Sequence, residues 1–192
     1  MAWDTERTRR RLLDAATAEF SEHGLAGARV DRIAARAGVN KERIYQYFGG
    51  KEQLFDAVVQ DGLFEVAADV PLVGEGPEAV GGYAAALLDR IVDRPELARL
   101  MAWEGLARGA EVTGRIERHA HCLDKIAALR RALPGITAAA AGQLLLTIIT
   151  LTNGWAVFPQ LAEMFTGGDP DARRETVRRL AVGAAADALA AA

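Results

Sequence analysis

Apolar residues recur every three or four positions along most of the sequence, and Val/Ile/Thr-rich alternating runs bounded by hairpin turns are absent. That periodicity restricts the chain to an all-α fold. Proline and glycine mark the joints. A first helix at about 5–23 carries Leu12, Leu13, Ala16 and Phe20 on one face and stops at Gly24, where a left-handed helix end suits glycine. Short helices follow at about 30–37 and 41–47, separated by Gly38-Val39, with Asn40 as the expected N-cap of the second. Gly49-Gly50 ends that helix, and Lys51 opens a longer one at about 51–69. After the loop through Pro71, Gly74, Gly76 and Pro77, the spacing predicts helices at about 78–92, 95–108, 111–133, 137–165 and 171–191. The expected architecture is about nine helices: a three-helix head within residues 1–50 and a larger helical body over 51–192.

Composition narrows the partners. Of 192 residues, 51% are apolar, which excludes a disordered tail and supports a sizeable core. The net charge of −3 is unevenly spread: residues 1–51 carry 10 basic and 7 acidic side chains, and the remainder carries 13 and 19. A polyanionic partner therefore belongs at the front. The single cysteine, Cys122, cannot close an intrachain disulfide, so a reducing compartment fits. The opening MAWDTERTRRR is charged where a secretory signal needs an apolar stretch, and a cytoplasmic location is expected. Residues 132–162 contain no charged side chain, a length that would permit a membrane span. Gln143, Thr147, Thr150, Thr152, Asn153 and Pro159 punctuate it, and a buried helix is the stronger expectation, with no membrane partner.

The two short helices and their tight Ala37-Gly38 corner make a helix-turn-helix candidate. At 100° per residue, Ile44 and Phe48 lie about 40° apart and form an apolar seam, while Glu42 and Gln46 fall about 160° and 200° from Ile44. Arg43 and Tyr47 flank that outer face on one side; Lys41 and Tyr45 flank it on the other. Such a face can lie in a major groove, with an amide and an acid at base edges and cations and phenols against phosphates. A solvated surface or a protein interface would show the same residue types, although two tyrosines on a short exposed helix call for a covering partner.

These residues resemble the DNA-binding head of the TetR (tetracycline-repressor) family of bacterial regulators. The resemblance covers about a quarter of the chain, from Thr8 to Val59. It rests on Ala15-Ala16 and Phe20 before Gly24, Ile33-Ala34, Ala37-Gly38-Val39, Ile44-Tyr45, Tyr47-Phe48, and Lys51-Glu52 before Leu54-Phe55. It implies that Tyr45 meets the DNA backbone, that Lys51 meets a phosphate and that Lys41 is a further contact. Arg29 sits where the family often places a hydroxyl residue against phosphate, and Asn40, Glu42, Arg43, Gln46 and Tyr47 complete the candidate DNA-binding set. Ala28 departs from a common threonine. Glu42 departs from a common small residue: it can accept from a cytosine amino group, but as a first-turn acid it better suits the positive end of the helix dipole. The resemblance also implies a near-palindromic DNA operator, a homodimer formed by the helices at about 137–165 and 171–191, and a small-molecule effector bound in the body.

The body shows no catalytic signature. Ser21 is the only serine and lies in the head. In His119-Ala120-His121-Cys122, His121 points about 160° away from the midpoint of the other two ligand candidates on a regular helix, so one metal ion cannot be held by all three. No cofactor is expected. Phe64, Tyr83, Met101, Trp103 and Trp155 could line an apolar cavity, with Glu104, Gln143 and Asn153 as orienting polar groups, although core or dimer packing is the stronger expectation for each aromatic. Phe158 and Met164 belong to the same pool. On the last helix, Val177, Leu180, Ala181, Ala184, Ala185, Ala188 and Leu189 form an apolar stripe suited to dimer packing. The competing readings are a helical enzyme and a metal or redox sensor using the body.

Overall fold

A computed structural model describes residues 2–112 and 114–191, and among them ten helices and no strand. The chain divides into two compact units, Met1–Glu65 with Glu96–Gly114, and Val66–Pro95 with Arg115–Ala192. The sequence-based division at residues 50 and 51 follows a loop. The division by packing instead adds the first part of the fourth helix, and a later helix, to the head.

The first unit opens with α1 (Ala2–Gly27). Its helix is interrupted at Gly24, whose φ of 64° and ψ of 179° lie outside the left-handed helical well expected there and in a region open essentially to glycine. The indole of Trp103 covers this break: a Cβ on Gly24 would stand 2.8 Å from the ring. α2 (Val30–Ala37) and α3 (Glu42–Phe48) follow. α2 closes on Gly38 in the left-handed region, φ 62°, whose N–H donates to backbone carbonyls of the last turn. The expected Asn40 cap is not formed. Lys41 occupies the cap position with helical φ and ψ, and α3 is entered through bonds from the Arg43 and Ile44 N–H groups to the Asn40 and Lys41 carbonyls. These i to i+3 bonds satisfy the entry turn without a side chain.

α4 (Lys51–Asp69) begins in this unit, and α6 (Glu96–Arg108) packs on α1. The shared core contains Leu12, Leu13, Ala16, Phe20, Ile33, Ile44, Leu54, Phe55, Val58 and Leu100. Phe20 and Phe55 meet edge to face, centroids 5.1 Å apart, the arrangement that aromatic quadrupoles favour.

The second unit is built from α5 (Gly76–Asp93), α7 (Arg115–Ala132), α8 (Ala138–Val157), α9 (Pro159–Thr166) and α10 (Pro170–Ala190). The uncharged stretch expected as one helix at 137–165 is two helices. Pro159 lacks an N–H and disfavours helical geometry at the residue before it; Phe158, at φ −122° and ψ 57°, caps both segments. Thr137 Oγ1 accepts from the Ala140 N–H at the start of α8, and Asp169 Oδ1 accepts from Asp171 and Ala172 at the start of α10. The core gathers Val80, Tyr83, Leu88, Leu129, Leu133, Leu144, Leu145, Ile148, Val177, Ala181 and Ala185. The apolar stripe of α10 is thus largely used inside the chain, where its Val177, Ala181 and Ala185 are buried, whereas Leu180 is 50% exposed.

Candidate nucleic-acid interface

α3 is fastened from behind. Ile44 is fully buried in the head core, and Tyr47 and Phe48 pack against that core half-buried, their rings tilted with centroids 6.4 Å apart. Tyr47, expected on the flank of the outer face, is therefore partly an anchor. Lys41, Glu42, Arg43, Tyr45 and Gln46 are exposed, and Tyr45 shows 55% of its surface. Tyr45 combines a π face, an apolar body and a terminal hydroxyl, which suits a backbone of sugars and phosphates. Arg43 Nη1 donates to Gln46 Oε1 at 3.2 Å, so the two outward groups already constrain each other. Lys41 Nζ stands 3.8 Å from Asp31 Oδ1 on α2. Asn40 is exposed in the turn.

The start of α2 is organised by a buried acid that sequence reasoning passed over. Glu19, 3% exposed, accepts the Arg29 N–H at 3.0 Å through Oε1, and the same oxygen pairs with Arg32 Nε at 2.9 Å. Arg32 Nη2 also donates to the Gly27 carbonyl. The Arg29 backbone donor is therefore occupied from inside, while its side chain remains exposed. A signal was present: on a helical wheel Glu19 lies about 20° from Leu12, in the middle of the core face of α1.

Lys51 is also engaged. Its Nζ donates to the carbonyls of Ala28 at 3.1 Å and Ala26 at 3.4 Å, tying the start of α4 to the approach to α2. An ammonium carries three protons, so one donor remains for a phosphate oxygen.

The eight residues considered for effector binding are divided between the units. Phe64, Met101, Trp103 and Glu104 belong to the first, and Tyr83, Gln143, Asn153 and Trp155 to the second. Trp103 Nε1 donates to the Ser21 carbonyl at 3.3 Å, and Glu104 is buried on the same helix. Phe64 is 57% exposed. Tyr83 is a core residue, Trp155 packs partly buried against the same core, Gln143 is exposed and Asn153 half-buried. Among the described residues, no group of three or more His, Cys, Asp or Glu side chains could hold a metal ion.

Comparison with known proteins agrees with this geometry. Residues 12–58 match the family described as bacterial regulatory proteins, tetR family, and residues 79–186 match the tetracyclin repressor-like C-terminal domain. The HTH-type transcriptional repressor SCO4008 of Streptomyces coelicolor is 38% identical over 187 residues, 94% of this chain and 96% of its own length. The HTH-type transcriptional repressor NicS of Pseudomonas putida is 30% identical over 168 residues, 85% of this chain and 78% of the relative. Among solved structures, the transcriptional regulator SCO4942 from Streptomyces coelicolor superposes with a TM-score of 0.74 at 32% identity, covering 91% of this chain and 96% of that one. A helix-turn-helix head with an outward, cationic and phenolic α3, continued by a helical body matched over most of its length, makes this chain a DNA-binding transcriptional regulator of the tetR family.

Proposed function

We propose that the chain is a cytoplasmic, effector-responsive repressor that binds a near-palindromic operator as a homodimer and is released when a small molecule occupies the body. The observation that carries the reading is the two-faced α3: Ile44 is buried at its back, and Lys41, Arg43, Tyr45 and Gln46 are exposed at its front. Gln46 is the base-reading residue, because an amide can make a bidentate pair with adenine. Lys41, Tyr45 and Lys51 position the head on phosphates, and Arg29 contributes its side chain rather than its backbone N–H, which Glu19 already holds. Asn40, Glu42, Arg43 and Tyr47 frame the contact.

A homodimer supplies two such heads. Recognition helices about 34–36 Å apart meet successive major grooves on one side of a duplex. An effector that binds better to a different head spacing lowers DNA affinity by the difference, and a coupling of about 1–3 kcal/mol changes it roughly 5- to 150-fold. Phe64, Tyr83, Met101, Trp103, Glu104, Gln143, Asn153 and Trp155 remain the candidate effector residues.

Selection of bound fragments from a random DNA pool tests the reading. Enriched paired half-sites one helical turn apart are expected. With them in hand, Gln46→Ala relaxes preference at one base pair per half-site, whereas Lys41→Ala weakens all sequences alike. Recovery of unpaired, unrelated fragments would contradict the symmetric reading.

A further inference from the structure

A notch of about 260 Å³ lies beside the helix-turn-helix corner, lined by Arg11, Asp14, Ala15, Arg36 and Ala37. Two guanidiniums from different helices face it, Arg11 on α1 and Arg36 in the last turn of α2. Both are exposed, and neither has a salt bridge or hydrogen bond among the described residues. The one acid in the lining, Asp14, is held by Arg10, whose Nε and Nη2 stand 2.8 and 2.7 Å from Oδ1, although Arg10 also serves Asp61 and Glu65. The lining therefore sets two guanidiniums against one carboxylate and is net positive.

The adjoining turn makes room for the Arg11 guanidinium. Gly38 follows Ala37 with φ 62°, and a Cβ there would fall 2.5 Å from Arg11 Nη2. Glycine permits both the left-handed turn and the close approach of Arg11 to it. A cation at the end of α2 also complements that helix's dipole, but this accounts for Arg36 alone and not for a second guanidinium brought across from α1. Guanidinium forks match phosphate oxygens, and two of them at one concavity outnumber its single carboxylate.

We propose that Arg11 and Arg36 form a phosphate-binding notch for the DNA backbone, a contact separate from those of α3 and from Lys51. Ala37, the last residue of the lining, precedes Lys41 by four residues at the helix-turn-helix corner, and under this proposal the sugar-phosphate strand of a duplex seated on α3 runs along it. The proposal rests on the DNA-binding reading above. Free inorganic phosphate shares the chemistry and is separated by the test.

The experiment measures duplex affinity of the full chain against salt concentration, on a selected operator and on random-sequence DNA, for wild type, Arg11→Ala, Arg36→Ala and the double variant. Each phosphate contact contributes about 0.9 to the slope of log K against log salt, so each single change lowers the slope by about 1 and the double by about 2, on both DNAs alike. Arg131→Ala, which removes an exposed cation of the second unit, leaves the slope unchanged. Unchanged slopes in the Arg11 and Arg36 variants with native circular dichroism overturn the notch while leaving operator binding intact. So does an equal fall for Arg131→Ala, which reduces the effect to net charge. Saturable binding of inorganic phosphate that moves Arg11 and Arg36 side-chain resonances, with DNA slopes unchanged, reassigns the notch to a small anion and overturns the DNA contact. A wild-type chain that binds no duplex at all overturns both this proposal and the reading beneath it.

Discussion

Glu19 shows how much of the interface depends on one side chain that touches no partner. A carboxylate at 3% exposure is costly unless paired, and here one oxygen serves the Arg29 N–H and the Arg32 guanidinium together. Glu19→Ala leaves a part-buried donor without its acceptor and strips Arg32 of its carboxylate partner, leaving it the Gly27 carbonyl, for an expected loss of about 1–3 kcal/mol in urea unfolding. Glu19→Gln keeps an amide oxygen for the N–H but removes the charge, so a smaller loss is expected. Equal losses in the two variants would mean that the ion pair, rather than the backbone bond, carries the site. The outward residues of α3 could be read from the helical wheel because helix geometry alone places them. Glu19 could be flagged by the same wheel, but not its partners: those come from a loop and a second helix ten and thirteen residues away. Lys51 is similar, since the carbonyls it binds are set by the path of the chain after the Gly24 break.

Among helices, the stop of α2 was legible from nearby residues, whereas the Asn40 cap did not form and the long-range contacts were invisible. The limits of α2 follow from Val30, Ile33 and Ala34 and from the Gly38 stop, all within one turn of the ends they define. The uncharged run hid the break at Pro159 because its apolar residues continue on both sides. The membership of α6 in the head depends on Trp103 meeting Gly24 and Ser21, contacts separated by about eighty residues, which no periodicity reports. In the second unit, α7 is held to α5 by a cation over a ring: Lys125 Nζ lies 5.3 Å from the Tyr83 centroid and donates to the Val70 carbonyl. Burial pushes the Tyr83 phenol from 10 up to about 12, and burial lowers the Lys125 pKa. The Tyr83 contribution is complete below the unfolded value of 10 and is lost as the pH rises to the folded value, an expected loss of about 2–3 kcal/mol by pH 12. Lys125 acts in the opposite sense, since its folded state binds protons less readily. Tyr83→Phe isolates the first effect: its urea midpoint falls less than that of wild type between pH 9 and 11.5. Parallel declines would remove the phenol as the cause.

At the scale of the whole molecule, the second unit leaves apolar side chains uncovered where a monomer gains nothing from them. Leu146 on α8, Met164 and Phe165 on α9 and Leu180 on α10 are 59%, 70%, 82% and 50% exposed. α8 is long and apolar enough to cross a bilayer, yet only about a third of that apolar stretch is buried inside the chain. A bilayer would have to accept the neighbouring α10, which carries Arg173, Arg174, Arg178 and Arg179, and Arg173 donates to the Leu151 carbonyl of α8. Charges held that close to the apolar helix disfavour hydrocarbon and favour a protein partner whose own apolar face is rimmed by polar groups. The homodimer proposed above would meet that requirement by symmetry, an isologous contact setting α8 and α10 against their equivalents. Leu180→Arg places a cation in the proposed seam without disturbing Val177, Ala181 or Ala185, which face the core. The expected result in sedimentation without detergent is a shift from dimer to monomer at micromolar concentration, with an unchanged helical signal. Affinity for a full operator then falls towards that for an isolated half-site, because two heads no longer bind as one unit. A variant that remains dimeric and binds the operator as wild type does would move the seam elsewhere on the molecule, and a wild-type chain soluble only in detergent would return α8 to the membrane.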